Sequence, residues 1–353
     1  MMIKKDIAAL LLAILGLLMV FGTSIVKAQD SLSLFQTMAR KGPLEITIKT
    51  DQKKLIRKKL KEEYQPATLT YQDLEGNPVE REIEVKTRGN MRLKTCYYPP
   101  IRIKISDADI ESEGLKHYSK LKLVVTCKPG DDYQQMVLRE YLAYKIRNII
   151  DDYGFRVQLV SLHMEDSEGK QKPRELLAFV IEDEDEMSAR LGGKIYDPRS
   201  VSRRSLYQEA YAMLSIFQYL IGNTDWFVLN KHNTKFVRTE NPPAIIPIAY
   251  DFDFAGLVNA PYAVPNEKMP ITSVRDRFFI GDCGVEGQYE EVIKKLSSKK
   301  SEIFDLVENC TYLNDRSRAS LIKYLTESFE ILEDPLDLAK AIKRGCGWSP
   351  INH

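Results

Sequence analysis

Histidine and tryptophan are scarce in this chain: four His and two Trp stand among 353 residues. Four imidazoles, one of them on the terminal His353, leave little material for a His-rich metal site. A surplus of one charge sign is missing too. Lys and Arg number 51 against 50 Asp and Glu, whereas a dedicated nucleic-acid binder neutralises many phosphates and ordinarily carries a basic excess or stripe. None of the five cysteines forms a CxxC pair, so a zinc ribbon or CxxC redox motif has no support. Also absent are a GxGxxG or GxxxxGK phosphate loop, a GxSxG elbow and an HExxH helix. Gly192-Gly193-Lys194 lacks the upstream glycine and the following Ser or Thr of a phosphate loop. Internal repeats and low-complexity tracts are lacking as well. What is there is a globular mixture, 44% apolar and 29% charged, sufficient for one large or two ordinary domains.

At the N-terminus, Lys4 and Lys5 precede an apolar run from Ile7 to Phe21, and Val26-Lys27-Ala28 offers small residues where a signal peptidase reads. Residues 1–28 therefore read as a secretory signal cleaved after Ala28. An uncleaved membrane anchor is the rival, for which the run is short. No cysteine lies near the cleavage site, as a lipoprotein requires. Loss of Lys4, Lys5, Lys27 and Asp6 takes the net charge from +1 to −1. The remainder is expected to be exported, to a periplasm, cell surface or extracellular space, with no stable membrane span after cleavage. Cys96, Cys127, Cys283, Cys310 and Cys346 all fall in that exported part, where an oxidising compartment permits disulfides. Their odd number leaves at least one thiol without a partner in the chain. Cys96 and Cys127, each in or beside a predicted strand of the same half, are the preferred pair, with buried reduced cysteines as the alternative.

Beyond the signal the texture changes once. LEITIKT from Leu44, ATLTYQD, VEREIEVKTRG, IRIKI, LKLVV, RVQLVSLHMED and RELLAFVIED alternate or run apolar between turn residues such as Glu75-Gly76-Asn77-Pro78 and Ser167-Glu168-Gly169. Pro129-Gly130-Asp131-Asp132 is a turn and N-cap cluster, after which Tyr133 to Asp151 reads as an amphipathic helix. Together these predict a mostly antiparallel sheet carrying one helix. From Asp183 onward helices dominate: a buried one over Ser205 to Ile221, amphipathic ones over Glu286 to Glu308 and Arg316 to Glu333, and a short one over Pro335 to Arg344. Between the first two lie Asn- and Pro-rich segments around a single expected strand, AIIPIAYDFDFAG. The expected organisation is α+β, with a β-rich region over residues 29–183 and a helical region over residues 184–353.

Candidate chemistry gathers in that irregular part. Gly222-Asn223-Thr224-Asp225-Trp226 ends the buried helix, Asn230 and His232-Asn233 follow, and Tyr250-Asp251-Phe252-Asp253 ends the strand. Two carboxylates and an amide oxygen make the hard-oxygen set that Mg²⁺ accepts. Asn and Asp at such positions also serve as ordinary turn and cap residues.

NTDWxxxxxHN followed by YDFDFAG resembles the catalytic and metal loops of atypical kinases of the CotH spore-coat type and, more distantly, HipA-like kinases. TRGNMR at Thr87 to Arg92 resembles an RG-containing strand-turn of CotH-like chains. The resemblance implies a two-lobed protein-kinase-like fold, with a β-rich N-lobe and a helical C-lobe forming one domain, and ATP with Mg²⁺ or Mn²⁺ as cofactors. It implies that Asp225 aligns the acceptor hydroxyl and that Asp251 holds metal with Asn233 or Asn230, beside Asp253. Asn230 has the interval after Asp225 found in ordinary kinase loops, whereas Asn233 belongs to the His232-Asn233 pair and is preferred. His232 itself reads as structural.

Such a site also demands a strand Lys held by a helix Glu, which Lys122 in Leu121-Lys122-Leu123-Val124 and Glu140 supply, with Lys104 as runner-up. Arg88 and Arg92 would contact phosphate in place of a glycine loop, and backbone near Ile181 to Asp183 would meet an adenine ring. Expected partners are a nucleotide and a protein or other surface acceptor. Hydrolase readings have thinner support: His163 and His232 lack a triad partner in the pattern, and Asp251 with Asp253 lacks an aromatic sugar platform. ATP is scarce outside the cytoplasm, so a non-catalytic binding or surface-assembly module stands as the alternative to phosphotransfer.

Overall fold

Leu44, Ile46 and Ile48 are buried while Glu45 and Lys49 are exposed, and that period-two pattern makes the first strand, β1 (Leu44–Thr50). The computed structural model describes residues 31–283 and 288–348; the expected signal at residues 1–28 and the terminal His353 lie outside them. Similar apolar patterning yields β2 (Gln65–Gln72), β3 (Pro78–Thr87), β4 (Ile101–Lys104), β5 (Lys120–Val125), β6 (Val157–Asp166) and β7 (Arg174–Ile181). Around them run the short helices α1 (Leu34–Met38), α2 (Gln52–Arg57), α3 (Met91–Thr95) and α4 (Asp107–Ser112), and the long α5 (Asp131–Ile150).

The strands close into a barrel in the order β1-β2-β3-β4-β5-β7-β6, and β6 returns to β1 in parallel register from Leu44↔Val160 to Thr50↔Asp166. Every other neighbour in the barrel is antiparallel. This corrects the expected fold class. Instead of a two-lobed kinase-like frame built on a mostly antiparallel sheet with one helix, seven strands form a closed mixed barrel accompanied by five helices. The physical reason is that closure satisfies both edges of the sheet, and it depends on a pairing between distant strands that no local pattern encodes.

The rest of the chain holds α6 (Glu184–Arg190), β8 (Gly193–Ile195), α7 (Gln208–Leu220), β9 (Thr234–Glu240), β10 (Pro243–Ala249), α8 (Gln288–Ser297), α9 (Lys300–Glu308), α10 (Asp315–Glu333) and α11 (Pro335–Gly345). The single strand expected here is one arm of a three-stranded antiparallel sheet, β10-β9-β8. The expected helix over Glu286 to Glu308 is two helices, α8 and α9, separated at Ser298-Lys299, with residues 286 and 287 outside the described set.

Two apolar cores result. One fills the barrel with Ile46, Ile48, Leu69, Ile103, Leu123 and Val180 among others. The other joins α5, α7 and α10 to the outer faces of β5, β6 and β7 through Val124, Leu159, Phe179 and Ile181. Cys96 and Cys127 form a disulfide, as do Cys283 and Cys346, and Cys310 is free. Among the described residues no helix is long and apolar enough to cross a membrane.

Candidate functional site

Helix α7 ends at Leu220, and Gly222, just past its C-cap, has φ +62° and would place a Cβ 1.8 Å from the Tyr324 hydroxyl, so glycine fits this turn. Fully buried Asn223 follows; its Nδ2 donates to Gln218 Oε1 at 3.0 Å and its Oδ1 accepts from the Asp225 amide at 2.9 Å. This Asx turn fixes Asp225 at the mouth of the buried helix. The Asp225 carboxylate then meets His232 Nε2 at 2.7 Å on Oδ1 and Asn233 Nδ2 at 3.0 Å on Oδ2. Asn233 Nδ2 also donates to the Asp225 carbonyl at 2.7 Å. The hydrogen bond to Asp225 raises the His232 pKa against the opposing effect of burial, and the charges of Asp225 and Asp251 add to the rise. Exposed Asn230 instead accepts from the His232 amide at 3.1 Å, a turn contact.

Strand β10 delivers the second acid. Tyr250 N donates to the Asn233 carbonyl at 3.2 Å, and the Asp251 amide donates to Tyr144 Oη at 2.9 Å. Asp251 adopts φ +64°, a left-handed conformation uncommon outside glycine and concentrated at functional sites. Its carboxylate accepts no hydrogen bond among the described residues. Burial, then the negative charge of Asp253, push the Asp251 pKa up to about 6, with Asp225 adding to the rise and Arg92 and Arg88 opposing it.

Asp253 is differently placed. Its Oδ2 accepts from Arg92 Nε at 3.1 Å and from the Tyr262 hydroxyl at 2.8 Å, and Arg92 Nη2 forms a close pair with Glu140 Oε2. Arg92, Glu140 and Asp253 are all buried. Burial opposes the Arg92 charge, but Glu140, Tyr262, Asp253 and Asp251 outweigh it and hold its pKa well above the usual guanidinium value. Burial pushes Glu140 up to about 7 against the pull of Arg92. The direction follows from one guanidinium shared among several acids. Glu140 is thus partnered by Arg92, and the Lys122–Glu140 pair expected from sequence does not form.

Lys122 lies on β5 with its Nζ 3.5 Å from Glu184 Oε2 and within 5.6 Å of the Phe155 and Tyr250 ring centres. Burial, reinforced by Arg88, lowers its pKa to about 8 while Glu184 opposes the fall. Lys235 Nζ reaches the same Glu184 oxygen at 3.3 Å. Arg88 forms no salt bridge among the described residues, and its charge acts on Lys122, Tyr250 and Asp251 alike. It therefore stands near both the lysine and the acid. Beside Lys122 opens a polar cavity of about 120 Å³ lined also by Arg102, Glu182, Asp183 and Glu184. Lys104 lies elsewhere, paired with exposed Glu84 at 2.9 Å. His163 sits 3.7 Å from Glu175 on paired barrel strands.

The structure thus brings Asp225, Asn233 and Asp251 together, keeps Asp253, Glu140 and Arg92 as an internal network beside them, and puts Lys122 with Arg88 on the neighbouring wall. Sequence reasoning missed Tyr144, Tyr262, Glu184 and Lys235. Tyr144 was within reach, since it follows Glu140 by one helical turn on the same face. Among the described residues no three His, Cys, Asp or Glu side chains form a ready-made metal cluster. The donors still suit a hard divalent cation at one place: the unbonded Asp251 carboxylate and Asn233 Oδ1, which the amide's Nδ2 contacts leave open. Asp253 suits it less, because Arg92 and Tyr262 already occupy Oδ2.

No family model matches the chain, and no curated protein matches it. Among solved structures it is similar to the Helicobacter pylori proinflammatory kinase CtkA, with a TM-score of 0.36 and 11% identity over 78% of this chain and 91% of that one. A likeness so slight carries no argument, and function has to be argued from the site.

Proposed function

We propose that the chain is an exported phosphotransferase that takes a phosphoryl group from ATP, with Mg²⁺ or Mn²⁺, and passes it to a hydroxyl of a protein or other surface acceptor. The observation that carries this reading is Asp251. It is a partly buried carboxylate in left-handed backbone, without a hydrogen bond among the described residues, near Asp225 and the cations Arg92 and Arg88, and it follows Tyr250, whose ring centre lies 5.6 Å from Lys122 Nζ. The wording of the NTDWxxxxxHN and YDFDFAG segments, similar to CotH-type kinases, agrees with it, and two disulfides are compatible with export.

The roles follow from the contacts. Asp225, oriented by His232 and Asn233, would accept the proton of the acceptor hydroxyl as its oxygen bonds to the γ-phosphorus and the bond to the leaving diphosphate breaks. Asp251 and Asn233 Oδ1 would hold the divalent cation, whose contribution is to offset negative charge on the phosphates. Lys122 and Arg88 would hold phosphate oxygens from the neighbouring wall. Arg92 fixes Glu140 and Asp253 so that their charges are compensated within the protein.

That last network also favours a second reading, a non-catalytic binding or assembly module, because Glu140 is spent on Arg92 rather than on Lys122. Thermal unfolding of the exported chain with ATP and Mg²⁺ or Mn²⁺, beside Asp251→Ala, separates the cases. A metal-dependent rise in midpoint that disappears in the variant, accompanied by release of ADP, supports phosphotransfer. The same rise without ATP consumption supports the binding module, and no shift with any nucleotide sinks both nucleotide readings.

A further inference from the structure

Away from the acidic centre, a second set of cations lies without a salt bridge among the described residues. Helix α5, the loop at residues 259–263 and the first turns of α10 enclose a cavity of about 410 Å³, lined by Arg139, Arg316, Asn259, Asn314, Ser320 and one carboxylate, Asp132, among others. Arg139 is half-buried, its Nε is buried without a hydrogen-bond partner, and neither Arg139 nor Arg316 forms a salt bridge or side-chain hydrogen bond among the described residues. Burial, then the positive charge of Arg275, lower the Arg139 pKa, with Arg316 adding and Asp132 opposing. The other acid at the start of α5 is already used: Asp131 Oδ2 accepts from Asn314 Nδ2 at 2.6 Å and its Oδ1 from Gln135 Nε2 at 3.4 Å. Asn314 in turn caps α10, accepting the Ser317 amide at 2.8 Å, so the positive end of a 19-residue helix points to the same region.

A buried guanidinium nitrogen without an acceptor is costly, and two guanidinium groups outnumber the single Asp132 carboxylate on this cavity, which favours an anion whose oxygens can meet both. A phosphate monoester, close to doubly charged at neutral pH and tetrahedral in its oxygens, meets that demand better than a single carboxylate. The lining loop is also the one whose Tyr262 hydroxyl donates to Asp253 at 2.8 Å, so a ligand held there would touch the segment that supports the acidic centre.

We propose that this cavity binds a phosphate monoester, with Arg139 and Arg316 as its charge partners. The proposal is independent of phosphotransfer. Calorimetric titration of the full chain without nucleotide or metal, at constant ionic strength, tests it with phosphoserine, inorganic phosphate and acetate as probes. Phosphoserine is expected to bind more tightly than inorganic phosphate, and acetate not to compete. Arg316→Gln, at an exposed position that leaves packing alone, and Arg139→Gln should each weaken phosphoserine by about tenfold, while Lys122→Gln and Asp251→Ala leave it unchanged. Unchanged affinity in both arginine variants, loss in Lys122→Gln, no binding to the unaltered chain, or equal affinity for inorganic phosphate would each overturn the monoester site. Arg139→Lys, which keeps charge, restores part of the affinity if the contact is electrostatic; if Arg139→Lys stays as weak as Arg139→Gln, the assignment of Arg139 fails.

Discussion

A carboxylate that is largely withdrawn from solvent, accepts no hydrogen bond among the described residues and lies near two other acids is held at a cost to the fold, and partly buried Asp251 is such a group. Because its folded pKa is raised from 3.8 to about 6, the native state retains a proton that the unfolded chain has released in that interval. The sign follows directly: stability from this group is greatest at low pH and is lost as pH rises from the ordinary aspartate range through about 6. Asp251→Asn, which keeps the shape and deletes the charge, is therefore expected to raise stability at pH 7.5 by about 1–3 kcal/mol while abolishing the metal-dependent nucleotide shift. Urea unfolding at pH 7.5 and pH 5 checks this, since the gap between variant and parent must shrink at the lower pH. His232 titrates with the opposite partner, its pKa raised from 6.5 by the hydrogen bond to Asp225. Stability from that pair is complete below 6.5 and fades as pH passes the folded value. Asp225→Asn should return the His232 proton resonance titration toward 6.5, and an unmoved midpoint would contradict the Asp225–His232 contact.

At the scale of elements, α3 is the piece that most needs outside support. It has five residues, too few to persist alone, yet it aims Arg92 at Glu140 and Asp253. Its C-cap, Cys96, is bonded to Cys127 just beyond β5, closing a sequence separation of 31. Chain entropy alone assigns such a link about 3–4 kcal/mol. Replacing both cysteines with serine should lower the free energy of urea unfolding by roughly this amount, and should increase hydrogen exchange across residues 91–95 before it does so in α7. Unchanged exchange in α3 would mean that Arg92 and its acids hold the helix without the disulfide. The same scale explains what was legible in the sequence. The seven barrel strands were readable because their apolar residues alternate or run between turns, whereas α1 to α4 and α6 are too short to display a helical period. Strand β9 was hidden because Phe236 and Val237 are buried side by side, breaking the alternation. In the site, Asp225, Asn233 and Asp251 stood out as polar residues closing apolar elements. Glu140 was matched to the nearest strand lysine, because its true partner Arg92 lies 48 residues upstream and Asp253 is 161 residues from that arginine.

For the whole molecule, the decisive feature is how the two cores share strands. In β7, Ala178 and Val180 face the barrel interior while Phe179 and Ile181 belong to the helical core; in β5, Leu123 and Val125 face inward and Val124 outward. Strand β6 divides in the same way, with Val160 and Leu162 inside and Val157 and Leu159 outside. Alternation thus spends each of these strands twice, and neither core can be dismantled without exposing apolar surface of the other. The acidic centre depends on this arrangement, since Arg92 comes from the barrel side and Glu140, Asp225 and Asp251 from elements packed on the helical core. Unfolding is therefore expected to be a single cooperative transition despite the length of the chain. Trp226 and Trp348 both belong to the helical core, so their fluorescence reports that half, while amides of β2 and β3, whose buried apolar residues all face the barrel, report the other. In urea the fluorescence and far-ultraviolet circular dichroism curves should coincide, and the slowest amides of β2 and β3 should exchange with the same free energy as those of α7. A fluorescence transition separated from loss of the barrel amides would mean that the shared strands do not couple the cores, and that the site could be lost while the barrel persists.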